Sequence, residues 1–157
     1  MKAMTPVSNS LPAGSGKGDL PMPVANGLAL DSRQVRPGDL FLAFPGEHGD
    51  GRHHIGQAIA AGAGAVWWEA AEFHWDRSWQ VPNLAVPDLR QRVGEIASRF
   101  YGHPSRKLWM AGVTGTNGKT SCAHWIAQSM NRLGRRTALM GTLGDGFPGQ
   151  LKPGRNT

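Results

Sequence analysis

This 157-residue sequence has one cysteine and no long apolar run, and each of these shortages excludes a class of protein. Its one cysteine, Cys122, cannot form an internal disulfide or a metal site of several thiolates, which is typical of a reducing compartment. No run reaches the ~18 apolar residues of a membrane-spanning helix, and residues 1–19 lack the apolar region of a secretory signal. We therefore expect a cytoplasmic protein without a membrane-inserted segment.

Acidic residues are also scarce, but only towards the end of the chain. Residues 1–103 carry nine Lys or Arg and ten Asp or Glu, whereas residues 104–157 carry eight Lys or Arg and Asp145 alone. The net charge of +6 is thus concentrated in the second segment. Two interpretations stay open: the balancing acidic residues lie in a part of the protein outside this sequence, or the segment is a surface for phosphates.

The first segment alternates between short apolar runs and amphipathic stretches. Strands are predicted at residues 27–30, 39–44, 65–68 and 83–86, and helices at 52–61 and 89–100. Asp88 is placed to cap the second helix, and successive Trp67 and Trp68 should lie on opposite faces of their strand. The pattern predicts an α/β domain over residues 27–103, after a flexible leader at 1–26 that is rich in Ser, Gly and Pro.

The second segment predicts one strand–helix–strand unit. The strands are expected at 107–113 and 136–140, the helix at 119–133, and a Gly/Pro-rich loop at 141–157. The side chains expected to face inward on this helix are Cys122, Ile126, Met130 and Leu133. Because a parallel sheet needs several such units, residues 104–157 would form an incomplete domain, and we expect the chain to be the N-terminal portion of a longer protein.

A phosphate loop is the sharpest motif, and it lies between the predicted strand and helix of this segment. Residues 112–120 read GVTGTNGKT, a variant of the G-x-x-x-x-G-K-[ST] pattern with Val113 at the first glycine position. Small residues let successive N–H groups point at phosphate oxygens, and the helix adds its positive N-terminal end. Lys119 would reach the β- and γ-phosphates, and the Thr120 hydroxyl would ligate Mg²⁺.

Other residues that could carry chemistry are better explained by structure. Cys122 falls on the predicted apolar stripe of the helix, and we expect His124 to face solvent or a domain junction. Adjacent His53 and His54 point about 100° apart on a helix, and no third ligand stands at a usual spacing. We predict neither catalysis nor metal binding at these positions.

Several motifs together resemble the Mur ligases, the ATP-dependent enzymes that add amino acids to the UDP-linked peptidoglycan precursor. GTNGKT at 115–120 resembles the nucleotide loop of these enzymes and of their folylpolyglutamate synthase relatives. DSR at 31–33, PGDLFLA at 37–43 and DGR at 50–52 resemble the UDP-binding N-terminal domain shared by the ligases of MurE and MurF type. GTLG at 141–144 and the final Asn-Thr match the MurE type, which adds the third residue.

The resemblance implies which residues would bind each substrate. ATP would be held by Gly115, Thr116, Asn117, Gly118, Lys119, Thr120 and Ser121, with Lys119 as the catalytic residue and Thr120 as the Mg²⁺ ligand. The UDP-N-acetylmuramoyl-dipeptide would be contacted by Leu30, Ser32, Glu47, His48, Gly49, Asn156 and Thr157. The segment Glu47-His48-Gly49 departs from the His-Gln-Ala common at this place in the family, which leaves backbone contacts as the expected ones.

The implied fold is a small UDP-binding α/β domain followed by the first βαβ unit of a phosphate-loop central domain. The implied reaction joins meso-diaminopimelate or L-lysine to UDP-N-acetylmuramoyl-L-alanyl-D-glutamate through an acyl phosphate, in peptidoglycan synthesis. Residues 1–157 alone should not catalyse it, because the family's other catalytic groups would lie in the missing C-terminal part. The alternatives are a MurF-type dipeptide-adding ligase, a nucleotide-binding module without turnover, and a basic protein that binds nucleic acid. We expect no nucleic-acid partner, because the aromatic residues do not interleave with the basic ones.

Overall fold

The computed structural model describes residues 20–47 and 49–153. The chain divides into two compact units, Met1–Lys107 (unit 1) and Leu108–Thr157 (unit 2). Among the described residues, no helix is both long and apolar enough to cross a bilayer.

Unit 1 is built on a parallel four-stranded sheet. Its strands are β1 (Leu28–Ala29), β2 (Leu40–Ala43), β3 (Ala65–Glu69) and β4 (Asn83–Val86), in the spatial order β1-β2-β3-β4. The helices are α1 (Ile55–Ala60) and α2 (Leu89–Phe100), with 3₁₀ turns at Ser32–Gln34, Gly51–His54 and Pro104–Lys107. The predicted α/β class is therefore confirmed, although only the second half of the helix predicted at 52–61 is α-helical.

The central strands β2 and β3 are buried along their whole length, which shows that both faces of the sheet are covered. Trp67 packs in the cluster that includes Leu89 and Ile96 of α2, and Trp68 packs in the cluster that includes Ile55 and Ala58 of α1. The two rings thus lie on opposite faces, as the period of a strand predicts. Strands buried on both faces read as continuous apolar runs, which is why LFLA and AVWW could be recognised in the sequence.

Residues before β1 contribute to the core of unit 1. Leu20 is buried in the cluster on the α2 face, and Met22 and Ala25 pack against it. The amide N–H of Asn26 donates to the carbonyl of Gly38 at 3.0 Å, and the Asn26 side chain donates to the carbonyl of Pro37. Residues 20–26, which the sequence pattern placed in a flexible leader, therefore hold fixed contacts with the sheet domain.

The N-terminus of α2 corrects the capping prediction. Asp88 precedes the helix but lies in the left-handed region at φ 53°, and its side chain makes no capping hydrogen bond. Glu69, at the end of β3, takes that role: its carboxylate accepts from the N–H of Leu89 at 2.7 Å and from the N–H of Asp88 at 3.1 Å. A carboxylate near the positive end of a helix stabilises it, so a residue 20 positions away replaces the local cap.

Unit 2 pairs its strands differently from the prediction. Helix α3 spans Lys119–Arg132, close to the predicted helix, and is followed by β5 (Leu139–Gly141), β6 (Gly144–Phe147) and β7 (Gln150–Lys152). These three strands form an antiparallel sheet in the order β5-β6-β7. The second predicted strand thus begins later than expected, and the loop predicted at 141–157 is wrong for the residues of β6 and β7.

The strand predicted at 107–113 is also wrong. Residues 109–114 have no regular secondary structure, and Leu108, Trp109 and Met110 are exposed. An apolar run becomes a buried strand only when neighbouring strands take up its N–H and C=O groups. Within the described part of the chain no strand pairs with this segment.

The inward face predicted for α3 is wrong for the same reason. Ala127 is the residue that α3 buries, whereas Cys122, Ile126 and Leu133 are exposed. An apolar stripe is buried only where another element packs on it. Among the described elements of unit 2, β5 packs against α3, and it leaves most of the apolar stripe exposed.

Candidate functional site

Predicted substrate residues of unit 1 gather at one edge of its sheet. Leu30 and Ser32 follow β1, and Glu47 and Gly49 follow β2. Since the strands are parallel, their carboxyl ends meet at one edge, where open α/β sheets bind ligands. His48 lies outside the described residues, as do Asn156 and Thr157.

Ser32 is held by a partner that the sequence did not reveal. Its hydroxyl donates to the Gln57 side-chain oxygen of α1 at 2.9 Å, and Ser32 is buried. The preceding Asp31 accepts from the backbone N–H and the guanidinium of Arg33. These hydrogen bonds lower the pKa of Asp31 to about 2, so the carboxylate stays charged and fixes the turn that presents Ser32.

The loop at residues 45–50 is closed by its own backbone. The N–H of Gly46 donates to the carbonyl of Gly49 at 2.7 Å, and Pro45 and Asp50 form an isolated antiparallel bridge. The Glu47 carboxylate at its tip accepts from the Arg90 guanidinium at 3.0 Å. Leu30 and Glu47 are both exposed, so this edge is accessible to a ligand.

Arg52 anchors the base of this loop, and its guanidinium is engaged in hydrogen bonds within unit 1. Its guanidinium makes three hydrogen bonds to the Asp50 carboxylate and donates to the backbone carbonyls of Glu69 and Ala71. It also lies over the Phe73 ring at 5.1 Å. The hydrogen bond from Arg52 lowers the pKa of Asp50 and raises that of Arg52, which keeps this partly buried pair charged.

The phosphate loop of unit 2 leads directly into α3. Gly118 caps the helix at φ 76°, in the left-handed region where glycine carries no Cβ penalty, and α3 begins at Lys119. The N–H groups of the first turn, those of Lys119, Thr120 and Ser121, have no acceptor within the helix. The first turn contains no acidic residue. The loop therefore offers donors and positive potential with no negative charge in the same turn.

Lys119 folds over this loop. Its ammonium donates to the carbonyl of Gly115 at 2.5 Å and to that of Thr116 at 3.3 Å, while Thr120 is half-buried beside it. Backbone N–H groups, an ammonium and a hydroxyl oxygen are the groups that hold a nucleotide's phosphates and their Mg²⁺ in loops of this kind. The residues present therefore fit ATP and Mg²⁺.

The neighbouring residues of α3 add nothing to this set. The His124 ring nitrogen Nδ1 contacts the carbonyl of Thr120 at 2.9 Å, which makes His124 part of the helix rather than of the loop. Cys122 is exposed but lies one turn along the helix. In the described ranges 20–47 and 49–153, no three His, Cys, Asp or Glu side chains come together as metal ligands.

Two family models match successive parts of the chain. Residues 24–101 match the model described as Mur ligase family, catalytic domain, and residues 113–157 match the Mur ligase middle domain. The chain is 55% identical over 130 residues to the UDP-N-acetylmuramoyl-L-alanyl-D-glutamate--2,6-diaminopimelate ligase of Nitrosomonas europaea, covering 83% of this chain and 25% of that protein. The chain thus spans about a quarter of the length of the curated relatives it matches.

Solved structures give the same assignment. A structure of a UDP-N-acetylmuramoyl-L-alanyl-D-glutamate--2,6-diaminopimelate ligase superposes with a TM-score of 0.62 at 33% identity, over 82% of this chain and 26% of that one. The MurF ligase of Thermotoga maritima in complex with ADP superposes with a TM-score of 0.50 at 25% identity, over 69% of this chain and 24% of that one. The two family models match residues of both units, and the chain belongs to the Mur ligase family.

Proposed function

We propose that this chain is part of an ATP-dependent ligase that adds meso-diaminopimelate to UDP-N-acetylmuramoyl-L-alanyl-D-glutamate in peptidoglycan synthesis. The observation that carries the proposal is the 55% identity over 83% of the chain to a relative of that name. The dipeptide-adding alternative is less well supported, because the MurF structure is 25% identical whereas the diaminopimelate ligase structure is 33% identical. The amino acid and the rest of the ligase would be its further partners.

In this proposal, unit 2 holds the nucleotide. Residues 115–121 surround the phosphates of ATP, with their backbone N–H groups as donors. The ammonium of Lys119 exchanges the carbonyls of Gly115 and Thr116 for the β- and γ-phosphate oxygens, and the Thr120 hydroxyl ligates Mg²⁺. Mg²⁺ held at Thr120 would neutralise phosphate charge while the γ-phosphoryl group passes from ATP to the substrate carboxylate and ADP is left. A similar structure, a MurF ligase, is a complex with ADP, which supports an adenine nucleotide as the ligand.

Unit 1 holds the uridine end of the other substrate. We assign the contacts to Leu30, Ser32 and the loop of Glu47, His48 and Gly49, at the carboxyl edge of the sheet. Asn156 and Thr157 would touch the muramoyl-peptide. The corresponding domain limits are 27–103 for substrate binding and 104–157 for the start of the ATP-binding domain.

A chimaera tests the proposal directly. Residues 28–157 of this chain replace the corresponding quarter of the Nitrosomonas europaea ligase, and phosphate release is measured with UDP-N-acetylmuramoyl-L-alanyl-D-glutamate and ATP. We expect turnover with meso-diaminopimelate that requires both substrates. The same chimaera with Lys119→Ala serves as the inactive control.

Two results would contradict the proposal. A folded chimaera that binds ATP but lacks ligation would favour the nucleotide-binding module without turnover. If the intact protein that carries these residues uses only a D-alanyl-D-alanine dipeptide as acceptor, the dipeptide-adding alternative replaces the proposal.

A further inference from the structure

An ion pair joins the 45–50 loop to the start of α2. The Arg90 guanidinium donates to the Glu47 carboxylate at 3.0 Å, and the two side chains are 53% and 69% exposed. The two residues are 43 positions apart in sequence, and both follow the carboxyl end of a strand of the parallel sheet. Arg90 therefore lies beside the loop assigned above to the uridine end of the substrate.

The position of Arg90 is not explained by the stability of its own helix. Arg90 is the second residue of α2, where a positive charge opposes the helix dipole. The N–H groups of Asp88 and Leu89 at this end already donate to the buried Glu69 carboxylate. The Glu69 carboxylate offsets the helix dipole here, so Arg90 gains no stability from its own helix and can serve an anion from outside it.

Arg90 is also more available than two other arginines at this edge. Arg52 is buried and donates to Asp50, Glu69 and Ala71, so releasing it would break several hydrogen bonds. Arg33 makes three hydrogen bonds to the carboxylate of Asp31, two residues earlier. The contact that the structure describes for the Arg90 guanidinium is one hydrogen bond to an exposed carboxylate.

An exposed ion pair of this kind is easily exchanged. Its net stabilisation is small, whereas a guanidinium can bind phosphate oxygens through two parallel hydrogen bonds. A diphosphate carries more charge than the Glu47 carboxylate and offers several acceptor oxygens. A nucleoside diphosphate group at this edge would therefore take Arg90 from Glu47.

We infer that Arg90 binds the diphosphate of the uridine nucleotide, and that Glu47 holds its guanidinium in place until the substrate arrives. The inference rests on the function proposed above, because that function places a UDP group at this edge. It adds a contact to the phosphates, whereas Ser32 and the 45–50 loop were assigned to the uridine. Glu47 then acts through its side chain as a competitor of the diphosphate.

The test compares UDP with uridine, which has the same base and ribose but no phosphate. Dissociation constants are measured by titration calorimetry at low salt for the 157-residue chain and for Arg90→Ala, Arg90→Gln and Glu47→Gln. We expect both Arg90 variants to weaken UDP binding about 5- to 20-fold and uridine binding less than about twofold. Glu47→Gln should tighten UDP binding about two- to fivefold, because it removes the competing charge.

Arg99→Ala is the matched control, since it removes the same charge from the last turn of α2. It should leave UDP binding within about twofold, and urea midpoints show whether each variant is folded. Equal losses for UDP and uridine in the Arg90 variants, or a loss of UDP binding in Glu47→Gln, would mean that the ion pair merely positions the loop and would overturn the inference. A wild-type chain that binds neither ligand would instead count against the proposed uridine site itself.

Discussion

Unit 1 and unit 2 differ most in how much apolar surface they bury. The large side chains that are fully buried, among them Trp67, Phe41 and Leu89, all belong to unit 1. Unit 2 buries Ala127 and Leu139 among its described apolar residues and exposes Trp109, Trp125 and Leu133 along with others. Burial of apolar surface supplies most of the free energy of folding, so unit 1 should account for most of the stability of the chain. Unit 2 instead presents the predicted phosphate loop, whose shape depends on its own residues.

The largest expected effect compares two tryptophans. Trp67→Ala removes a ring that is 2% exposed, and it should lower the free energy of unfolding by about 3–5 kcal/mol. Trp109→Ala removes a ring that is 81% exposed and should cost less than about 0.5 kcal/mol. Urea unfolding measured by circular dichroism gives both values. Similar costs for the two variants would contradict the unequal burial of the units.

Lys119→Ala tests whether the units also divide the chemistry. In the chimaera described above, the loss of the ammonium should lower kcat about 10²- to 10³-fold, because charge moves onto the phosphates during transfer. The dissociation constant of UDP should stay within about twofold, since the assigned uridine contacts lie in unit 1.

The control for this variant is Lys107→Ala, which removes the same charge outside the phosphate loop. It should leave kcat nearly unchanged. Turnover of Lys119→Ala within a few-fold of the unmodified chimaera would show that residues 112–120 do not act as a phosphate loop.

The cap of α2 tests whether contacts between residues far apart in sequence stabilise unit 1. Glu69→Gln leaves two N–H donors without a carboxylate and should lower the free energy of unfolding by about 1.5–3 kcal/mol. Asp88→Gly removes a side chain that makes no capping bond and relieves a positive φ, so it should change stability by less than about 0.5 kcal/mol. A larger cost for Asp88→Gly than for Glu69→Gln in thermal or urea unfolding would restore the local cap predicted from the sequence.

The smallest expected effect is the acid dependence of unit 1. The Arg52 hydrogen bond lowers the pKa of Asp50 below 3.8, so the folded state binds fewer protons than the unfolded state. The stability from this pair is therefore present above pH 3.8 and is lost as the pH falls below it. Because the pair is partly exposed, the loss should be below about 1 kcal/mol.

Urea unfolding at pH 5 and pH 3 measures this loss, with Asp50→Asn as the comparison. The variant should be less stable at pH 5 and should show a smaller further drop at pH 3. An equal drop in both proteins would mean that other carboxylates, Asp31 among them, account for the acid dependence.

Periodicity predicted the elements of unit 1 well and failed where burial depends on a neighbour. The predicted strand at 83–86 and the helix at 89–100 match β4 and α2, because each pattern reflects a face that packs in the same unit. The apolar run at 107–113 has the same composition signal, but no described strand lies beside it. The inward face expected for Cys122 and Ile126 failed for the same reason.

For the candidate site, too, the local conformation was predictable and the long-range partners were not. The start of α3 at Gly118 and Lys119 was predictable, since a positive φ and a helix N-terminus are local properties that leave a local motif. The partners of the site residues were not: Gln57 holds Ser32 from 25 positions away, and Arg90 reaches Glu47 from 43. No short sequence pattern could connect residues so far apart.

The sequence by itself determined the α/β class, the strands of unit 1, the glycine-rich loop that leads into α3 and the family, because dihedral preference, side-chain period and motif are properties of neighbouring residues. Only the tertiary structure decided that Glu69 rather than Asp88 caps α2, that Arg52 is used within the domain, and that Arg90 stands beside the 45–50 loop. Each of these depends on which strand ends lie together at the carboxyl edge of a parallel sheet. That juxtaposition follows from pairing between strands far apart in the chain, which no local preference encodes.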